Sequence, residues 1–302
     1  MQTRWTGCGP ALVTPFTVTG ELDEAAITRL ARRQINSGVN FLVPCGTTGE
    51  SPALSHTEKL RVVELVVQEA DGEAPVLAGA GGYDTRAISD LVSDMELAGA
   101  NGILSVTPYY NKPTQNGLFR HFETLASRTT LPIVLYNVPG RTGCNIEPST
   151  LVRLSTIPSI VGVKEASGDL GQMCEICRIV PKDFCVLSGD DAFTLAMMSL
   201  GATGVVSVVA NEVPEQMVKL VQLASEGDFA SARSVHERLL PLMQANFVES
   251  NPIPVKAAMA ALGLIKETYR LPMVELEQSS RDRITTALKE LGLTLAPEAR
   301  TD

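Results

Sequence analysis

Eight short aliphatic runs, each about thirty residues from the next, constrain this chain's fold more than any other feature. They cover residues 9–14, 41–44, 76–79, 102–106, 133–136, 160–164, 185–187 and 205–208. None alternates apolar and polar positions as a half-solvated sheet does, so each reads as a strand buried on both faces, as in an all-parallel sheet. Between successive runs there is room for a helix and its turns. Eight such units predict an α/β fold, the (β/α)8 or TIM barrel. An open doubly wound sheet is the competing arrangement, but no G-x-G-x-x-G opens the first helix.

The intervening segments carry helix signals. Asp23 stands before Ile27, Leu30 and Ala31, a helical spacing that closes at Ser37-Gly38. Ser55 and Glu58 have the spacing of a capping box ahead of Leu60, Val63 and Val67. Asp84 or Thr85 can cap the next helix, and a further helix is expected over 169–180. Beyond the eighth run the pattern is helical, with Pro214 near one start and Gly227-Asp228 between two helices. The chain therefore divides into a barrel, 1–211, carrying the active site, and C-terminal helices, 212–302, which include the last barrel helix.

The 302 residues suit one large barrel or two ordinary domains, and 44% hydrophobic with 20% charged residues supplies ample material for a packed core. A formal charge of -9 argues against a nucleic-acid partner held through phosphates, while leaving room for a locally positive site that takes a small anion. Residues 1–8 lack a basic start and an apolar run, so no signal peptide is expected. The uncharged stretch 192–211 is long enough to suggest a membrane span. Ser199, Gly201, Thr203, Gly204 and Ser207 interrupt it, and it reads instead as a buried helix followed by a buried strand. The expectation is a soluble, cytoplasmic protein. Of six cysteines, Cys174 and Cys177 form a C-x-x-C pair within the 169–180 helix. No second pair or nearby histidine completes a zinc site, so neither a metal nor a cofactor is expected.

In a barrel of this kind the chemistry belongs to the C-terminal ends of the strands. Gly46-Thr47-Thr48-Gly49-Glu50 follows the second run and Thr107-Pro108-Tyr109-Tyr110 the fourth. The fifth ends in Tyr136 and continues into Asn137-Val138-Pro139-Gly140-Arg141. The sixth ends in Lys164-Glu165, and Ser188-Gly189-Asp190-Asp191 follows the seventh.

Lys164 is the most informative of these, because its stem leaves an apolar run, Ile160-Val161-Gly162-Val163. A buried ammonium loses solvation, and the neutral amine that burial favours is the form that attacks a ketone to make an imine. The bland reading is a snorkelling lysine paired with Glu165. Lys256, behind Asn251-Pro252-Ile253-Pro254, reads as a first-turn surface lysine. Tyr136 precedes Lys164 by 28 residues, one βα unit, a spacing that could place the two on adjacent strands. A phenol there can pass protons as a carbinolamine collapses, and an aromatic plug at the barrel mouth is the alternative. Thr47 and Thr48 lie in a turn whose N–H groups and hydroxyls can receive an anion. Arg141 offers a planar fork for a second carboxylate. Glycine-flanked turns and loop arginines are also common without such roles. Together these groups supply an amine nucleophile, a proton shuttle and two carboxylate sites.

These residues resemble those of the dihydrodipicolinate synthase family, within the pyruvate-dependent class I aldolases. The likeness runs from Gly9-Pro10-Ala11-Leu12-Val13-Thr14-Pro15-Phe16 to Asn251-Pro252-Ile253-Pro254-Val255-Lys256. The G-T-T-G-E turn, Tyr136 and Gly162-Val163-Lys164 are similar to the wider superfamily. Tyr136-Asn137-Val138-Pro139-Gly140-Arg141-Thr142 is more selective, since sialic-acid lyases resemble this chain up to the Pro139 region but lack the arginine. The resemblance implies that Lys164 condenses with pyruvate and that the derived enamine adds to L-aspartate-4-semialdehyde. Transimination by the substrate's amine then closes the ring and frees the lysine, on the route to diaminopimelate and lysine. The resemblance further implies a proton relay of Tyr136, Thr48 and Tyr110, with Tyr110 reaching in from a neighbouring subunit. It implies Thr47 and Thr48 at the pyruvate carboxylate, Arg141 at the semialdehyde, and Gly189 and the Val206 carbonyl in the substrate site. A homotetramer of two tight dimers is implied as well.

Another pyruvate aldolase, such as a sialic-acid or keto-deoxy-sugar lyase, is one competing reading, and a non-catalytic oxo-acid sensor is another. Arg141 speaks against the first, and intact Lys164, Tyr136, Thr48 and Tyr110 against the second. Feedback-inhibited relatives bind lysine at the tight-dimer interface, near the positions of Ser51, His56 and Tyr109, using an asparagine and a glutamate after the third strand. Here Tyr83 and Ala87 stand in those places, and Lys59 where some sensitive relatives have a histidine. A partly buried cation without an acidic partner loses solvation uncompensated, so inhibition by lysine is expected to be weak or absent.

Overall fold

The computed structural model describes residues 5–297. Residues 1–4, and 298–302 of the expected C-terminal helices, lie outside the described residues. Seven strands form one sheet: β1 (Gly7–Pro10), β2 (Leu77–Gly79), β3 (Gly102–Val106), β4 (Ile133–Asn137), β5 (Ile160–Glu165), β6 (Cys185–Ser188) and β7 (Gly204–Ser207). Every pairing is parallel, in the order β1-β7-β6-β5-β4-β3-β2. Helices follow the strands and cover the outer face, so the aliphatic runs are buried on both sides as their composition requires.

The second run, 41–44, departs from expectation. It makes isolated bridges, Ala11 to Val43 and Leu42 to Val76, rather than a continuous strand. Backbone bonds still reach it from both sides, Leu12 N to Val43 O at 3.0 Å and Leu77 N to Leu42 O at 2.8 Å. Pro44 has no N–H to donate, and Cys45 turns to φ 59°, so the regular ladder stops there. The first strand also starts earlier than its run. Gly7 pairs with Gly204, where a Cβ would lie 2.0 Å from the Gly7 carbonyl oxygen, a closeness glycine alone permits.

The helix signals are realised as caps. Asp23 accepts from Ala26 N at the start of Glu24–Asn36. Ser55 and Glu58 complete a reciprocal capping box on His56–Ala70. Asp84 caps Thr85–Leu97, and Asp169 caps Leu170–Ile179, on which Cys174 is exposed and Cys177 half-buried. The uncharged stretch folds as helix Thr194–Ser199 and strand β7. Among the described residues no helix is long and apolar enough to cross a membrane.

Two apolar layers set the site. Residues facing into the curl of the sheet, among them Phe41, Leu104, Val134, Tyr136, Leu187 and Val206, form an inner cluster. Their neighbours along each strand, such as Ile133, Leu135 and Val163, pack outward under the helices. C-terminal helix Ile253–Ala261 brings Val255 and Met259 against Val13, Leu30 and Val208. That packing seats residues 251–256 against the loop after β1.

Candidate active site

Alternation along β4 and β5 selects which side chains face the inside of the curled sheet. Val134 and Tyr136 point inward, and Tyr136 pairs in register with Lys164, so Lys164 shares that inner face. Its Nζ stands 4.2 Å from the centroid of the Tyr136 ring. Both side chains are almost wholly buried. Glu165, next along the strand, faces the other way. It accepts from Asn137 Nδ2 at 3.0 Å and from Ser167 N at 2.8 Å, and burial raises its carboxyl above the usual range against those bonds. Lys164 and Glu165 therefore do not form the pair that a snorkelling lysine would make.

Beside the lysine stem, a Cβ on Gly189 would come within 2.6 Å of Ala166 Cβ and 3.1 Å of Lys164 Cε. Gly189 therefore leaves the amine its room. Val206 lies in β7, paired with Gly9 and facing the inner cluster. Just beyond it, Asp191 Oδ2 accepts from the backbone N–H of Val208 and of Val209, each at 2.9 Å. These bonds fix the end of β7. Burial pushes the Asp191 carboxyl up to about 6, and its Oδ1 is buried with no hydrogen-bond partner.

A cavity of about 250 Å³ opens at this rim, lined by Thr47, Tyr136 and Arg141 together with Ser51, Lys59 and Tyr109. Lys59 and Arg141 are its two charged lining residues, and no carboxylate lines it. The cavity is thus shaped and charged for a small anion. Thr107 Oγ1 donates to Thr142 Oγ1 at 3.1 Å, and Thr142 donates on to Val138 O at 3.2 Å, which ties the loops after β3 and β4 together below Arg141. A wider hollow of about 670 Å³ lies elsewhere, beside Arg29, Arg33 and Glu212. It holds none of the rim residues, and its Arg33 already donates to the Asn211 and Glu212 carbonyls.

Of the residues singled out from sequence, Lys164, Tyr136, Thr47, Arg141, Gly189 and Val206 gather at one end of the curled sheet. Thr48 is buried behind it and accepts from Asn251 Nδ2 at 2.9 Å. Tyr110 does not join them within the chain: it is 89% exposed, with φ 71°.

Lys256 corrects an expectation. It is fully buried, not on the surface, and its Nζ meets Glu50 Oε1 at 2.5 Å and Thr14 O at 3.1 Å. Its helix packs against Val13, Leu30 and Val208, and the partner that makes burial tolerable comes from the G-T-T-G-E turn. Asn251, which heads the motif Asn251-Pro252-Ile253-Pro254, is a site neighbour that sequence reasoning misses. A polar residue heading a nearly uncharged helix start was the signal available.

The Dihydrodipicolinate synthetase family model matches residues 4–291. A relative from Koribacter versatilis named 4-hydroxy-tetrahydrodipicolinate synthase is 49% identical over 288 residues, 95% of this chain and 96% of that protein. The crystal structure of dihydrodipicolinate synthase from Thermotoga maritima superposes with a TM-score of 0.95 at 44% identity, covering 97% of this chain and 100% of that one. A monomeric dihydrodipicolinate synthase variant matches equally well, with a TM-score of 0.95 and 44% identity, covering 96% and 98%. With the model spanning the sheet, the cavity and the C-terminal helices alike, the chain belongs to the dihydrodipicolinate synthetase family.

Proposed function

We propose that this enzyme is a 4-hydroxy-tetrahydrodipicolinate synthase, a lyase that joins pyruvate to L-aspartate-4-semialdehyde through a Schiff base on Lys164. The observation that carries the site assignment is the Lys164 amine held over the Tyr136 ring on the inner face of the barrel. Lys164 Nζ attacks C2 of pyruvate, and loss of water gives the imine. A proton leaves C3, and the enamine carbon bonds to the aldehyde carbon of the second substrate. The substrate's own amine then attacks C2, the C2–Nζ bond breaks, and the ring closes as the lysine is released. The Tyr136 hydroxyl and Thr48 carry protons between these steps, with Tyr110 supplied by a second copy. Thr47 and Thr48 receive the pyruvate carboxylate, Arg141 the semialdehyde, and Gly189 and the Val206 carbonyl complete the pocket.

The same reading treats segment 41–44 as the eighth strand of a closed barrel spanning 1–211, with 212–302 as its helical extension. Bridges on both sides of 41–44 support this. It also takes the working assembly to be a homotetramer of tight dimers, because exposed Tyr110 needs a neighbour to reach a site, and it places the enzyme in the cytoplasm with its biosynthetic route. Borohydride reduction in the presence of pyruvate tests the core of the proposal. One pyruvyl adduct is expected, on the peptide bearing Lys164, and none in Lys164→Ala; an adduct on another lysine overturns it.

A further inference from the structure

The turn that carries Thr47 and Thr48 is tied at two points to a segment about two hundred residues away in the chain. At one end Glu50, in left-handed backbone at φ 51°, receives the fully buried Lys256 ammonium. Its other carboxylate oxygen accepts from Arg270 N at 3.3 Å. Phe16 and Tyr269 place their rings 4.4 and 5.3 Å from Lys256 Nζ, so the charged pair is walled by aromatic faces. At the other end Asn251 Nδ2 donates to Thr48 Oγ1. Asn251 and Thr48 are both buried, so water does not compete freely for this bond.

The direction of the Asn251 bond matters chemically. A hydroxyl that accepts from an amide keeps its own proton for a different acceptor. Among the described residues no protein acceptor takes the Thr48 proton. A carboxylate in place of the amide accepts only, and would claim that proton. The geometry points to Asn251 as a positioning residue, which holds the Thr48 hydroxyl with its proton directed into the barrel mouth, while the Glu50–Lys256 pair locks the turn on which Thr48 sits.

This assignment rests on the proton-relay role proposed for Thr48, and the test separates the two. Turnover and the rate of pyruvate adduct formation are measured for wild type, Asn251→Ala, Thr48→Val and the double variant. Asn251→Ala is expected to lower kcat about tenfold, leave KM for pyruvate within about twofold, and add no further loss in the Thr48→Val background. An equal further loss in that background overturns the positioning role alone, since Asn251 would then act independently of Thr48. Full turnover in Thr48→Val overturns the relay role and the positioning role together. Asn251→Asp supplies a second readout that a packing defect does not move. Its protonated carboxyl can donate to Thr48 as the amide does, and its ionised form cannot. Activity in this variant should therefore fall as pH rises through the new carboxyl's titration, with no such limb in Asn251→Ala. A pH profile parallel to wild type in Asn251→Asp rejects the assignment.

Discussion

Lys164 and Tyr136 occupy the same register on adjacent parallel strands, and this pairing holds the amine against the aromatic ring. The proposed relay assigns the hydroxyl of Tyr136 a role separate from the packing of its ring. Tyr136→Phe keeps the inner-cluster packing but removes the proposed proton carrier. It should bind pyruvate and slow adduct formation by about 10²–10⁴-fold, the usual range for a positioned acid–base group. Stopped-flow trapping with unchanged far-UV circular dichroism is the check, and near-wild-type rates would remove Tyr136 from the relay.

Arg141 should separate the two substrates. Charge-assisted hydrogen bonds to a carboxylate contribute about 1.5–3 kcal/mol. Arg141→Ala should then lower kcat/KM for the semialdehyde by roughly tenfold or more, at about 1.4 kcal/mol per decade. The pyruvate adduct should still form. Equal losses in both steps would make Arg141 a pyruvate ligand or a structural residue.

Lys256 and Glu50 predict a stability cycle. Lys256→Met leaves the Glu50 carboxylate buried without its partner, which typically costs about 3–5 kcal/mol. Lys256→Met/Glu50→Gln removes the stranded charge and should recover most of that loss. Urea midpoints of the two variants decide the matter, and an additive double variant contradicts direct coupling.

Asp191 links stability to pH. Its folded carboxyl titrates at about 6 against an ordinary value of 3.8, because burial disfavours the charged form. The folded state therefore holds its proton more tightly than the unfolded chain. Asp191 adds no penalty below about pH 4, and its contribution to stability declines as pH rises to about 6. Asp191→Asn abolishes that slope. Relative to wild type, the variant should gain about 2–3 kcal/mol between about pH 4 and about pH 7. A stability difference flat across that window would show that Asp191 is not the titrating group.

Lysine should be a poor inhibitor. Lys59 lines the cavity beside Ser51 and Tyr109, and no carboxylate lines it to pair a cationic amino acid. His56 Nε2 already meets Asp94 Oδ2 at 2.8 Å, and exposed Tyr83 stands edge-on to Tyr109 with ring centroids 5.6 Å apart. Ala87, on the helix after β2, offers no acid in its place. Millimolar lysine should leave turnover nearly unchanged. Saturable inhibition in a lysine titration would refute this reading of Lys59, Tyr83 and Ala87.

What the chain's local chemistry determined on its own is the repeating unit and the lysine that ends one of its strands. Strands buried on both faces must be aliphatic throughout, so their runs and spacing stand out, and a lysine at the end of one, Lys164, is anomalous enough to notice. Caps such as Asp23, Ser55 and Asp84 are equally local, since each bonds a backbone N–H within three residues. Long-range placement was decided only in three dimensions. Ladder length at 41–44 depends on what both neighbours present, which no single run encodes. Lys256 looks like a surface lysine until Glu50, from the far end of the chain, is folded against it. Asn251 likewise acquires a role only where the C-terminal helix packs on the loop after β1 and sets its amide on Thr48. Burial of a polar group is tolerable only beside a partner, and the partner's position is a property of tertiary packing rather than of sequence neighbours.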